Sequence, residues 1–150
     1  MAWLYSFLIS ILFSIQLGAL SAPKFEKQVV VVAHKTLVLD VADTSDRQAY
    51  GLMNRSKMAA DEGMIFVFPN ESTRSFWMKN TLIDLDIAYV NSKGVIIDIQ
   101  EMKSGKNVKD DSLLPSYVSK QPAMYAIEMN KGWFKKNGIK VGDIIKIKKP

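Results

Sequence analysis

The chain has 150 residues and a formal net charge of +5, with 48% hydrophobic and 23% charged side chains. That balance fits one globular domain large enough for a real core and argues against wholesale disorder. The absence of cysteine excludes a disulfide framework, a thiolate zinc site, an iron–sulfur cluster, a cysteine nucleophile and a lipid-carrying cysteine.

The first stretch carries no charged side chain. Leu4 to Leu17 is apolar, interrupted only by Ser6, Ser10, Ser14 and Gln16, and small residues follow around Gly18 to Ala22. Ala19-Leu20-Ser21 fits the small-x-small pattern of a signal-peptidase site. It predicts a cleavable signal peptide over residues 1–21, a mature single domain over residues 22–150, and export to the periplasm or the extracellular space. The competing reading is an uncleaved anchor, because the segment is near the ~17-residue lower limit for a span. In either case the membrane is met only through this segment.

Charge is unevenly shared along the rest of the chain. Residues 22–100 carry 9 basic and 10 acidic side chains, whereas residues 101–150 carry 11 and 5, all 11 of those cations being Lys. Readers of nucleic acid favour Arg forks and interleaved aromatics. The Lys-rich half therefore reads as a solvated face with at most a weak attraction to anionic polymers, and no specific nucleic-acid partner is expected.

Gln28 to Ala33 is a short β-branched run and reads as a strand, His34-Lys35 as a turn, and Thr36 to Ala42 as a second, alternating strand. His34 is the only imidazole, so it reads as a turn residue, not a ligand or catalyst. Asp43-Thr44-Ser45-Asp46 offers N-caps for a short helix from about Asp46 to Met53, with Gly51 near its end. Met64 to Phe68 reads as a buried strand stopped by Pro69. Asp86 to Val90 and Val95 to Ile99 flank the hairpin signal Asn91-Ser92-Lys93-Gly94. Ser104 to Lys120 is the most polar stretch and reads as a long loop. Ala123 to Met129 is a further strand with Tyr125, Ile127 and Met129 on one face and Glu128 on the other. Gly132 to Gly138 holds a helical turn, and Ile144 to Ile147 is the last strand. No internal repeat is evident. Many short strands with few helices predict a mainly β domain.

The stretch from Phe76 to Ile87 concentrates the chemistry, with a Trp, a Lys, an Asn and two Asp among large apolar residues. If Ser75 to Asn80 is extended, Phe76, Met78 and Asn80 share one face and Trp77, Lys79 and Thr81 the other. Arg47, Gly51-Leu52-Met53, Arg55, Asp61-Glu62-Gly63-Met64, Phe66-Val67-Phe68-Pro69, Phe76-Trp77-Met78-Lys79-Asn80-Thr81 and Leu85-Asp86-Ile87 together resemble the family called domain of unknown function 192. Glu128, Gly132, Gly138-Ile139 and Val141-Gly142-Asp143 extend the resemblance over about residues 29–147. It implies a small, often secreted bacterial or archaeal protein with a jelly-roll-like β-sandwich, and it implies no known activity. Asp84 departs from the pattern, which has Pro there. The expected fold is thus a single jelly-roll-like sandwich or a partly open barrel, with one or two short helices.

Three functions are compatible with these residues. The first is a non-catalytic binding module with Arg47, Arg55, Trp77, Lys79, Asn80, Asp86 and Glu128 as its candidate site, for a carbohydrate or an anionic envelope polymer. Trp77 would stack, with Trp133 a second aromatic surface, and the polar groups would clamp. The second is a hydrolase using Lys79, Asp84, Asp86 and Glu128 as an acid–base cluster. The third is a purely structural or interaction role, in which Arg47 and Arg55 pair with Asp86 and Glu128 inside the domain. The helix bearing Arg47 is expected to lie over Asp84 and Asp86, which would gather Arg47, Trp77, Lys79, Asn80 and Asp86. No metal site and no cofactor are expected, and the protein is expected to be a monomer.

Overall fold

A computed structural model of the protein describes residues 21–148. All but the last residue of the expected signal peptide, residues 1–21, lies outside the described residues. The domain is mainly β, built on a seven-stranded sheet in the order β6-β5-β8-β3-β2-β1-β9. The partly open barrel is the form adopted. The sheet curls until its two edges touch at one end through a bridge between Val95 and Ile144. Ile96 donates to the Asp143 carbonyl there, and Ile145 to that of Gly94.

The Val-rich β1 (Glu26–Val32) and β2 (Lys35–Ala42) pair antiparallel about a two-residue turn, Val32 facing Lys35. The turn is Ala33-His34, one residue earlier than expected, and Ala33 takes the positive φ (53°) that such tight connections demand. Thr44 caps α1 (Ser45–Tyr50), accepting the Arg47 N–H, and Gly51 at φ 50° ends it. The helix carries the chain over to β3 (Gly63–Ser72), which lies parallel to β2. This parallel pair is foreign to a purely antiparallel jelly roll.

β3 does not stop at Pro69. Its regular pairing with β8 (Ala123–Asn130) runs from Gly63 to Val67, then breaks, and resumes at Ser72. Pro69 sits in the irregular part, where its missing N–H costs no ladder bond. β4 is only Ser75–Phe76 and pairs with β7 (Tyr117–Val118) as a small second sheet. β5 (Leu85–Val90) is buried along its whole length, between β6 (Ile96–Met102) and β8. Helix α2 (Trp133–Lys136) and β9 (Ile145–Ile147) complete the fold.

The sheet is covered inside the curl, and on its outer face over β3, β5 and β8, while the outward Val38 of β2 is exposed. All seven strands supply the core inside the curl, including Val30, Leu39, Ile65, Ala88 and Ile127, and α2 plugs it with Trp133 and Phe134. The outer face of β3, β5 and β8 carries a second core around Met64, Phe66, Ile87 and Tyr89, roofed by Leu52 and Met78. Alternation along each strand decides which core a residue joins.

Candidate functional site

The outer face holds one carboxylate that nothing neutralises. Glu128 in β8 faces Met64 of β3 and Ile87 of β5 across the ladders and is only 4% exposed. Among the described residues it has no hydrogen bond or ion pair. Burial alone pushes its carboxyl up to about 8. At neutral pH it is therefore largely protonated and able to donate as well as accept.

Glu128 lines a narrow well of about 30 Å³, with Gly51, Phe66, Thr81, Trp77 and Lys79 among its walls. That volume holds one water or one hydroxyl group. The well adjoins a groove of about 330 Å³ between α1 and β4, which shares Gln48, Phe66, Phe76 and Trp77 and ends at Arg74. Trp77 is 48% exposed beside both openings, because β4 ends at Phe76 and the next residue points away from the core that holds Phe76 and Met78. The Lys79 ammonium lies 5.2 Å from the Trp77 ring centre and 2.5 Å from Asp111. Arg74 is held by the carbonyls of Asn70 and Ala123 and lies 4.0 Å over the Phe68 ring, so it fixes the groove wall.

A larger opening of about 490 Å³ lies at the mouth of the curl, walled by Val41, Ile65, Val67, Tyr125, Ile145 and Ile147. Its one carboxylate, Asp43, is paired with Arg47. Chemistry thus favours the smaller site, where an unpaired acid, a cation and an indole converge.

The sequence-predicted residues divide between this site and structural posts. Trp77, Lys79 and Glu128 come together. Asp86 does not join them, because successive residues of a strand point to opposite faces and Asp86 pairs with Met129, one step from the Ile87–Glu128 pair. It is 4% exposed, accepts the Gly132 N–H at 2.8 Å, and leaves its other oxygen without a partner. Burial raises its carboxyl, with Glu101 adding to the effect, against the Gly132 bond and Lys131. Arg47 is not over Asp84 and Asp86 either: it bonds Asp43 at 2.8 Å, four residues back, and the Lys24 carbonyl. Arg55 pairs with Asp40 at 2.6 Å, not with Glu128 or Asp86. Asn80 turns the chain with φ 50°, its carbonyl accepting the Asn54 N–H, and Thr81 is buried in its stead. Asp84 is exposed and accepts the Ser104 N–H. Trp133 is buried, its indole donating to Asp61, and offers no stacking surface. With Asp84, Asp86 and Glu128 thus dispersed, the four-residue acid–base cluster does not form.

The model of the family DUF192, described as "Uncharacterized ACR", matches residues 28–147. The chain belongs to DUF192. Two solved structures are similar to this DUF192 chain. One, from Sinorhizobium meliloti 1021, is of a protein described as a candidate transcription regulator. It is 28% identical with a TM-score of 0.73, covering 83% of this chain and 96% of its own. The other, a protein of unknown function from Novosphingobium aromaticivorans DSM 12444, is 29% identical with a TM-score of 0.68, covering 85% and 89%. No curated protein gives a significant match.

Sequence reasoning missed the helix side of this DUF192 site. Gln48 and Tyr50 line the well, Gln48 being held by a bond to the Val67 carbonyl at 2.8 Å. Their signal was the position of α1 just before the Gly51 break, where a helix end packs against Phe66; the Cβ of any other residue at 51 would stand 3.4 Å from that ring.

Proposed function

We propose that this protein is an exported, non-catalytic binding domain that holds a saccharide against Trp77, with one sugar hydroxyl lowered into the well above Glu128. The observation that carries this reading is a buried Glu128, without a hydrogen-bond or ion-pair partner among the described residues, in a well walled by a half-exposed indole. Burial favours the neutral carboxyl, which both donates and accepts and so matches a hydroxyl, and the well has room for one. An indole face offers a large, rigid stacking area. The dispersal of Asp84, Asp86 and Glu128 speaks against the paired-carboxylate hydrolase. A role like that described for the Sinorhizobium protein has less support, since the longest α-helix among the described residues has six residues.

Isothermal titration against a panel of neutral and acidic oligosaccharides tests the site. At least one is expected to bind saturably, and Trp77→Ala should weaken it by about 30-fold, the loss typical of an aromatic anchor, with the unfolding midpoint unchanged. Absence of binding at millimolar sugar, or undiminished binding by Trp77→Ala, would overturn the reading.

Export rests on the uncharged apolar start and the Ala19-Leu20-Ser21 pattern. N-terminal sequencing of protein from the native envelope fraction should find Ala22 first; an intact Met1 in a soluble cytoplasmic pool would refute it.

A further inference from the structure

Lys79 is engaged by an acid of the chain itself. Asp111, which opens a 3₁₀ turn over Asp111–Leu113, reaches the Lys79 ammonium, which lies over the Trp77 ring. The segment bearing it is anchored at both ends. At one end Gly105 donates to the Thr81 carbonyl, and its Cα sits so near the Met78 carbonyl that an added Cβ would stand 2.1 Å from it. At the other, β7 pairs with β4. Between these anchors the bonds turn inward: Val108 donates to Gly105, Ser112 to Asp110, Leu113 to Asp110 and Leu114 to Asp111. Leu113 is 73% exposed. Within 106–113, the Asp111–Lys79 pair is the polar bond that ties the turn to the rest of the domain among the described residues.

Resting on the saccharide reading above, we propose that the ligand is an acidic sugar whose carboxylate replaces that of Asp111 on Lys79, releasing the 106–113 turn. The sugar packed on the exposed part of Trp77 then presents a hydroxyl to Glu128 and its carboxylate to the ammonium held over the indole. One carboxylate replaces another of the same charge and shape, so the swap costs Lys79 no partner. Both members of the present pair are partly exposed, at 34% and 48% of their side chains, so it is easily displaced.

Titration of trigalacturonate and of the neutral maltotriose into the wild type, Asp111→Asn and Lys79→Gln tests this. Removing the internal competitor should tighten trigalacturonate by about 3- to 5-fold, the range of an exposed ion pair, and leave maltotriose unaltered. Lys79→Gln should abolish the preference for the acidic sugar. Glucose 6-phosphate supplies a second anion, and an equal gain for it in Asp111→Asn would overturn the carboxylate assignment. If both trisaccharides bind but Asp111→Asn leaves their ratio unmoved, the displacement is wrong while the Trp77 site stands. If no sugar binds any of the three proteins, both readings fall.

Discussion

A single carboxyl group sets the chemistry at the residue scale. Burial disfavours the charged form of Glu128, so its folded-state affinity for the proton exceeds that of the unfolded chain, whose value is near 4.5. Below pH 4.5 both states are protonated and the group adds no pH dependence. Between 4.5 and about 8 the unfolded chain ionises and the folded one does not, so stability falls as pH rises. The span is at most about 5 kcal/mol by linkage. Asp40 acts in the opposite sense. Burial would raise it, but hydrogen bonds from Lys27 and Arg55 and their charges hold it below the usual range, so its contribution is present at neutral pH and lost in acid. Asp86 is shifted upward like Glu128, and comparing variants cancels it. Denaturant midpoints at pH 5 and pH 9 should show Glu128→Gln gaining on the wild type by several kcal/mol between the two. Parallel profiles would mean that Glu128 is ionised and solvated in the folded protein.

At the scale of elements, alternation told more than proximity. The strand Ala123 to Met129 was legible because Tyr125, Ile127 and Met129 fall on one side, which left Glu128 on the other, and the structure places those faces in different cores. The same rule, applied across β5 and β8, would have parted Asp86 from Glu128, but it needs the register between two strands distant in sequence. The arginines were misplaced for a related reason. Arg47 found an acid four residues away on its own helix entry, and Arg55 found Asp40 in β2, so neither needed the acids of the central stretch. Ser75 to Asn80 obeyed alternation through Met78 and left it at Asn80, whose positive φ is a backbone choice that Asn tolerates but does not announce. The parallel β2–β3 pair was illegible because the chain between them reads only as a short helix and a loop.

On the scale of the whole molecule, the binding reading depends on a rigid sheet, since the well is framed by side chains from β3, β8, α1 and the segment after β4. The two edges of the sheet are hydrogen-bonded to each other at one end. Gly94 holds that seam. Its carbonyl accepts the Ile145 N–H at 2.8 Å, its φ of 80° suits the hairpin, and an added Cβ would stand 2.7 Å from the Ile145 carbonyl oxygen. Gly138 after α2 also has a positive φ, 67°, but open space around the place a Cβ would take. Both Gly→Ala changes carry the left-handed penalty of about 1–2 kcal/mol, and only the first adds a clash with a backbone atom that cannot swing aside. Gly94→Ala should therefore lower the unfolding free energy by at least about 1 kcal/mol more than Gly138→Ala, measured from denaturant midpoints. It should also speed amide exchange at Ile96 and Ile145, which donate across the seam, while Gly138→Ala leaves those two amides protected. Equal losses from the two substitutions, with Ile96 and Ile145 unmoved, would show that the edges are not joined in solution and that the frame of the well is held by β3, β5 and β8 alone.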